Sequence, residues 1–244
     1  MHQLIPRGRT GRLGALLGAI LFGATACTSF SAARPADVPL GSSYHSKVGL
    51  GAPFDPAVSW FWSLDDCVLC RTSQVPVTEL GYSVGWRGAA GRKYAVGLFL
   101  DGLAPQGDLY VQLRESADVN AGVGARAGPA APGRFWTAKL YALYDRRRGD
   151  RSRLLLNPGL YFYGNTRDPD GDHGLSQAWL LGVTQTVGFE YDVGSVTYTP
   201  QLTIVGAHGE LGGDAAALGA GRSRLRFDDV FATAALGITF RRRP

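Results

Sequence analysis

The sequence predicts an all-β fold in which about ten antiparallel strands close into an up-and-down barrel that crosses a membrane. Three observations predict it. Large apolar residues recur with a period of two from residue 57 onward, the signature of strands with one apolar face. The composition, 34 Gly and 1 Met with 18% charged residues in a chain of 244, suits strands and turns better than helices. No apolar run reaches the roughly 18 residues that a membrane-spanning helix needs, so a crossing here is made by strands.

The chain begins with an address. Arg7, Arg9 and Arg12 precede the apolar stretch "LGALLGAILFGA", and small residues follow up to Cys27. This is the layout of a bacterial secretory signal over residues 1–26. The segment resembles a lipoprotein signal, which implies that Cys27 carries lipid as the first mature residue. Ala24 stands where such signals usually have Leu, so ordinary cleavage near Ala26 is the competing reading. Residues 27–56, rich in Ser, Ala, Pro and Gly, read as a tether, and the barrel as residues 57–244.

The strands follow in order. Val58, Trp60, Trp62 and Leu64 alternate in the first, and Leu80, Tyr82, Val84 and Trp86 in the second. Tyr94 to Leu100, Leu109 to Leu113 and, more weakly, Val119 to Ala125 continue the pattern. Trp136 to Tyr144, Leu154 to Phe162, Trp179 to Tyr191, Val196 to Ile204 and Val230 to Phe240 complete it. Several runs approach the roughly 9–11 residues that a tilted membrane strand needs. Trp86, Trp136, Tyr144, Trp179, Tyr191 and Tyr198 lie near strand ends on the apolar face, where amphipathic rings meet the lipid–water boundary. Short connections at 88–91, 116–117, 147–151 and 192–195 alternate with longer ones at 65–76, 101–107, 128–133, 165–175 and 209–225. An eight-stranded barrel that omits 57–64 is the alternative, with less regular alternation.

Over residues 57–241 this pattern resembles the small outer-membrane β-barrel class of Gram-negative bacteria. The resemblance implies short periplasmic turns, longer external loops and lipid against the apolar face. An even strand count returns both barrel ends to the periplasm, the side expected for a lipidated Cys27. Such barrels usually end on an aromatic residue; here Phe240 is followed by "RRRP", a departure from the class.

The faces opposite the apolar ones are small and polar, with charges in mid-strand. Glu79, Arg87, Arg114, Lys139 and Glu190 are the candidate lumen residues, forming charge pairs in a plugged interior or lining a narrow pore. In an oxidising compartment Cys67 and Cys70 of "DDCVLCRTS" read as a structural disulfide, with redox and metal roles as alternatives. Asp168, Asp170 and Asp172 of "RDPDGDHG" resemble an acidic calcium loop over about five residues. They lack a bidentate Glu at the right distance, and a solvated loop is the plainer reading. Apart from that weak Ca²⁺ site no cofactor is expected. The partners expected are membrane lipid and small polar solutes. The net charge of +5 lacks the basic, aromatic-laced surface that nucleic acid requires.

The sequence therefore favours a non-enzymatic outer-membrane barrel, porin-like or with a structural or surface-interaction role. Two alternatives stand beside it. One is a soluble, lipid-tethered periplasmic barrel with its apolar faces turned inward around an apolar ligand. The other is a barrel-embedded hydrolase acting on lipid or peptide, using His173 or His208 with loop carboxylates.

Overall fold

The computed structural model describes residues 34–53, 75–101, 104–131, 135–165, 175–213 and 224–241. Ten strands run through them: β1 (Gly41–Pro53), β2 (Val75–Arg87), β3 (Lys93–Asp101), β4 (Ala104–Glu115), β5 (Val119–Ala131), β6 (Phe135–Arg147), β7 (Ser152–Asn165), β8 (Leu175–Val193), β9 (Val196–Gly213) and β10 (Arg224–Arg241). Each pairs antiparallel with its chain neighbours, and β1 pairs with β10, which closes the barrel. Ten strands, not eight, is the count.

The register sets the faces. Tyr44 lies opposite Tyr82, and Leu80 opposite Leu100, so outward residues meet outward residues around the wall. Leu80, Tyr82, Val84 and Trp86 are exposed, while Glu79 and Ser83, of the opposite parity, are buried. The same parity holds on every wall: Leu98, Leu109, Leu140, Leu160, Val183, Leu202 and Leu236 all face out. Val183 is 62% exposed at mid-strand. An exterior of this kind is stable only against lipid. The soluble alternative, which needed these residues inside, is overturned.

The aromatics form two belts. Trp136 and Trp179 stand near the long-loop end; Trp86, Tyr94, Tyr144, Tyr191 and Tyr198 stand near the short-turn end. Trp86 and Tyr94 stack with centroids 5.9 Å apart. The wall is uneven in height, 9 residues in β3 against 19 in β8 and 18 in β9 and β10.

Two expectations need correction. The tether of residues 27–56 contains β1, so the described barrel begins at Gly41 rather than residue 57. In β1 Tyr44, Val48 and Leu50 face out, but Ser46 interrupts them and Gly and Ser dilute the alternation. The segment becomes a strand because β2 and β10 hydrogen-bond both its edges. The first expected strand, 57–64, lies outside the described residues, as does the signal. Finally, two connections are shorter than expected, 102–103 between β3 and β4 and 132–134 between β5 and β6, because the paired strands run further.

A charge placed on the mid-height exterior tests this arrangement. Val183→Arg is expected to cost roughly 2–4 kcal/mol of folding stability, read as a lower guanidinium midpoint for the barrel in lipid vesicles.

Candidate functional site

The lumen is the candidate site, and it holds three layers. At mid-height, parity brings charged side chains inward from β1 to β6. Arg126 on β5 donates to Glu79 on β2 at 2.5 Å and to Asp108 on β4 at 3.1 Å. Lys47 on β1 lies 3.2 Å from the other Glu79 oxygen. Lys139 on β6 donates to Asp101 on β3 at 2.7 Å, and the Tyr141 hydroxyl donates to Asp108 at 2.7 Å. None of these charged side chains is more than 5% exposed. Arg126–Glu79, Lys139–Asp101 and Tyr141–Asp108 join strands that are not neighbours and so bridge the lumen, while Arg126–Asp108 and Lys47–Glu79 lie between paired strands. Paired ions at this depth are tolerated because each has an opposite charge and further hydrogen bonds; removing one partner strands the other.

An aromatic floor supports the cluster. The Arg126 guanidinium lies 3.8 Å from the Phe99 ring centroid, a cation–π contact. The Phe99 ring occupies the space a side chain at Gly81 would need, and Tyr141 does the same over Gly124. Inward glycines on β2 and β5 let these rings lie against the wall. His45 stacks on Phe99 at 5.5 Å and is held between Ser83 Oγ at 2.8 Å and Thr239 Oγ1 at 3.1 Å.

The opposite wall is uncharged at this height. Thr184, Thr186, Thr197, Thr199, Thr203 and Thr233 project inward from β8, β9 and β10, and the Thr186 and Thr203 hydroxyls bond at 2.8 Å. The gap among Arg126, Lys139, Tyr141, Gly159 and Thr184 is too small for a water-sized sphere.

The third layer is the chain itself. Residues 34–40 lie inside the barrel along β4. Arg34 is 3.4 Å from Asp108, the Tyr110 hydroxyl donates to the Ala36 carbonyl at 3.0 Å, and the Val38 N–H donates to Gln112 Oε1 at 3.0 Å. The Ala36 N–H donates to Glu190 at 3.3 Å, and Lys93 pairs with Asp37 at 2.8 Å. Arg34, Ala36 and Val38 are buried. At Gly41 the backbone takes a φ of 83°, a left-handed conformation that Gly adopts without strain, as the segment turns into β1.

Of the residues singled out from sequence, Glu79, Lys139 and Glu190 lie inside the lumen, with partners other than those expected. Glu79 meets Arg126 and Lys47, Lys139 meets Asp101, and Glu190 meets the Ala36 backbone. Arg87 and Arg114 do not lie within it. Arg87, the last residue of β2, is exposed at the short-turn end and pairs with Glu115 at 3.0 Å. A bulge between Gln112 and Arg114 shifts the register there, and Arg114 is exposed. Cys27, Cys67, Cys70, Asp168, Asp170, Asp172 and His173 lie outside the described residues. Among the described residues no cluster of His, Cys, Asp and Glu could hold a metal ion. His45, read as part of the tether, is an inward residue of β1. His208 faces outward on β9, its Nδ1 bonded to the Asp228 carboxylate and its ring edge-on to Trp179 at 5.4 Å.

The sequence reading missed Arg34, Lys47, Asp101, Asp108 and Arg126. Arg34 and Lys47 were hidden in the supposed tether. Parity alone assigns the other three inward: Asp108 shares it with Gln112, Asp101 with Glu79 across the β2–β3 ladder, and Arg126 with Lys139 across the β5–β6 ladder.

A closed antiparallel barrel, apolar outside and polar within, defines a transmembrane β-barrel of the outer-membrane type. No protein-family model and no curated protein sequence matches the chain. Solved structures of similar shape include Neisserial surface protein A, at 10% identity and a TM-score of 0.39 over 84% of this chain and 100% of that one. The outer membrane protein OprG of Pseudomonas aeruginosa is similar at 14% identity and 0.35, over 86% and 100%. The β domain of the Bordetella autotransporter BrkA is similar at 12% and 0.33, over 83% and 99%. With identity and TM-score this low, the class rests on this chain's own strand pairing and polarity.

Arg126→Ala removes the cation shared by Glu79 and Asp108. It is expected to cost roughly 3–5 kcal/mol, measured by denaturant unfolding in vesicles, whereas Arg87→Ala at the exposed pair is expected to cost at most about 1 kcal/mol.

Proposed function

We propose that this chain is an exported, non-enzymatic protein of the bacterial outer membrane that works as a closed barrel, presenting its long-loop end to the cell exterior for structural or surface interaction. One observation carries the reading: the lumen is bridged by the Arg126–Glu79–Asp108 cluster at mid-height and occupied by residues 34–40 below it. A barrel of this strand number has an interior that side chains largely fill. The porin-like version, in which small polar solutes pass, is the less supported form, because a solute would have to displace paired, desolvated ions. The lipid-facing exterior makes membrane lipid the one constant partner.

A second reading rests on the outward His208–Asp228 pair. A carboxylate that orients an imidazole is the base half of a nucleophilic site. Among the described residues no hydroxyl or thiol is bonded to its other ring nitrogen. His208→Ala with an unchanged envelope lipid profile disposes of that reading; loss of a deacylated species supports it.

Planar-bilayer recording tests the leading reading. The full chain is expected to give no stepwise conductance. Sustained, voltage-independent steps from the purified wild-type barrel would show an open pore.

A further inference from the structure

The lipid-facing wall carries an amide at the depth where a polar group is most costly. Gln185 on β8 has the outward parity of Val183 and Val187 and is exposed, while Thr184 and Thr186 on either side of it are buried. It lies six residues from Trp179 in one aromatic belt and six from Tyr191 in the other. That is roughly 20 Å along the strand in each direction, and about 14 Å of depth at a tilt of about 45°. A short amide side chain reaches neither interface from there. Among the described residues, no other outward side chain at mid-height carries an amide or a charge. The amide is half satisfied within the chain. Its Nε2 donates to the Thr186 carbonyl at 3.0 Å, and its Oε1 accepts no hydrogen bond among the described residues. In hydrocarbon an unbonded polar atom carries its full desolvation cost, because no water replaces the missing partner.

We propose that Gln185 centres a lateral interface between two copies of this chain, joined within the membrane by a reciprocal pair of amide–amide hydrogen bonds. The inference rests on the transmembrane class of the fold and not on the role proposed for the long loops. The chemistry selects the occupant. Lipid tails offer neither donor nor acceptor. All copies enter the membrane with their long loops on the same side, so two that close on each other are related by a two-fold axis along the membrane normal. Such an axis conserves depth, and a mid-height residue beside it meets its own copy. A carboxylate only accepts and an ammonium only donates, so neither pairs with itself. An amide does both. Each Gln185 donates one Nε2 hydrogen to the Oε1 of the other copy and keeps the second on its own Thr186 carbonyl, so both amide groups are satisfied. Side-chain hydrogen bonds of this kind hold membrane segments together. The surrounding relief permits the approach. Pro158 on β7 and Ile204 on β9 lie opposite Gln185 in the two ladders. Two-fold symmetry sets the β7 side of one copy against the β9 side of the other. There a Cβ placed on the outward Gly206 would meet nothing within 4 Å, which leaves room for an apolar side chain of the facing copy.

Sedimentation equilibrium of the full chain in density-matched detergent tests it, with heat-dependent gel migration of the same samples reporting that each barrel is folded. The wild-type chain is expected to show a monomer–dimer equilibrium. Gln185→Leu puts an apolar side chain like those of its neighbours on the lipid face, so the barrel is expected to keep its heat-dependent shift. Its dimer is expected to be weaker by roughly 10-fold or more. Gln185→Asn, which keeps the amide, is expected to retain part of the dimer. Leu98→Ala, on β3 five strands away across the barrel, is expected to leave the equilibrium unchanged. A wild-type chain that sediments as a folded monomer at every concentration overturns the inference and leaves the barrel intact. A dimer that Gln185→Leu does not weaken, or that Leu98→Ala weakens equally, overturns it as well. A wild-type chain with no heat-dependent shift would not be a closed barrel, and the inference would fall with the fold.

Discussion

A strand edge facing hydrocarbon leaves a row of backbone N–H and C=O groups with nothing to bond, each costing several kcal/mol, so a membrane sheet must close on itself. The β1–β10 ladder meets that demand here, running from Ser43 opposite Arg241 to Pro53 opposite Phe231. Everything else follows from closure. It fixes which residues share a level, turns every second residue inward, and forces the lean faces of ten strands into one enclosed volume. It also explains why a weakly patterned stretch such as "GSSYHSKVGLGAP" is a strand: its pairing with both β2 and β10 satisfies the backbone on the two edges that would otherwise stay open.

Enclosing the lean faces creates a second problem, which the charge network answers. An inward Arg126, Lys47 or Lys139 has no bulk water around it, and each is compensated by a carboxylate: Arg126 and Lys139 meet Glu79 and Asp101 across the lumen, and Lys47 meets Glu79 on the adjacent strand. The Thr-rich face of β8 to β10 needs no such partners, because hydroxyls can bond to one another and to the backbone. Charge is therefore concentrated on one side of the interior. The plug lies over that side, where Arg34 adds a cation to Asp108 and the Val38 N–H donates to Gln112, and it reaches Glu190 on β8 through the Ala36 N–H. Lumen and N-terminal segment form one polar structure. The closed lumen and the seating of residues 34–40 within it are two consequences of the same set of bonds.

Parity made the faces legible in sequence. Leu80, Tyr82, Val84 and Trp86 on one side and Glu79 on the other are assigned by alternation alone, and so are the aromatic belts. Pairing inside the lumen was not legible. Glu79 and Lys139 share a face with Arg87 and Arg114 in sequence, yet Arg87 is exposed at the last residue of β2 and the bulge after Gln112 leaves Arg114 exposed. Depth along the barrel depends on register, and register depends on where the partner strands start and stop.

The sequence by itself determined a chain of antiparallel strands with an apolar exterior, because a period of two is a local property that no later folding changes. Only the tertiary structure decided that the first strand is Gly41–Pro53, that Arg126 rather than Arg87 or Arg114 pairs with Glu79, and that residues 34–40 fill the lumen. The physical reason is common to all three: each joins residues distant in the chain, between Lys47 and Glu79, Glu79 and Arg126, or Ala36 and Glu190, and only strand pairing and the curling of the sheet into a barrel bring them within a bond's length.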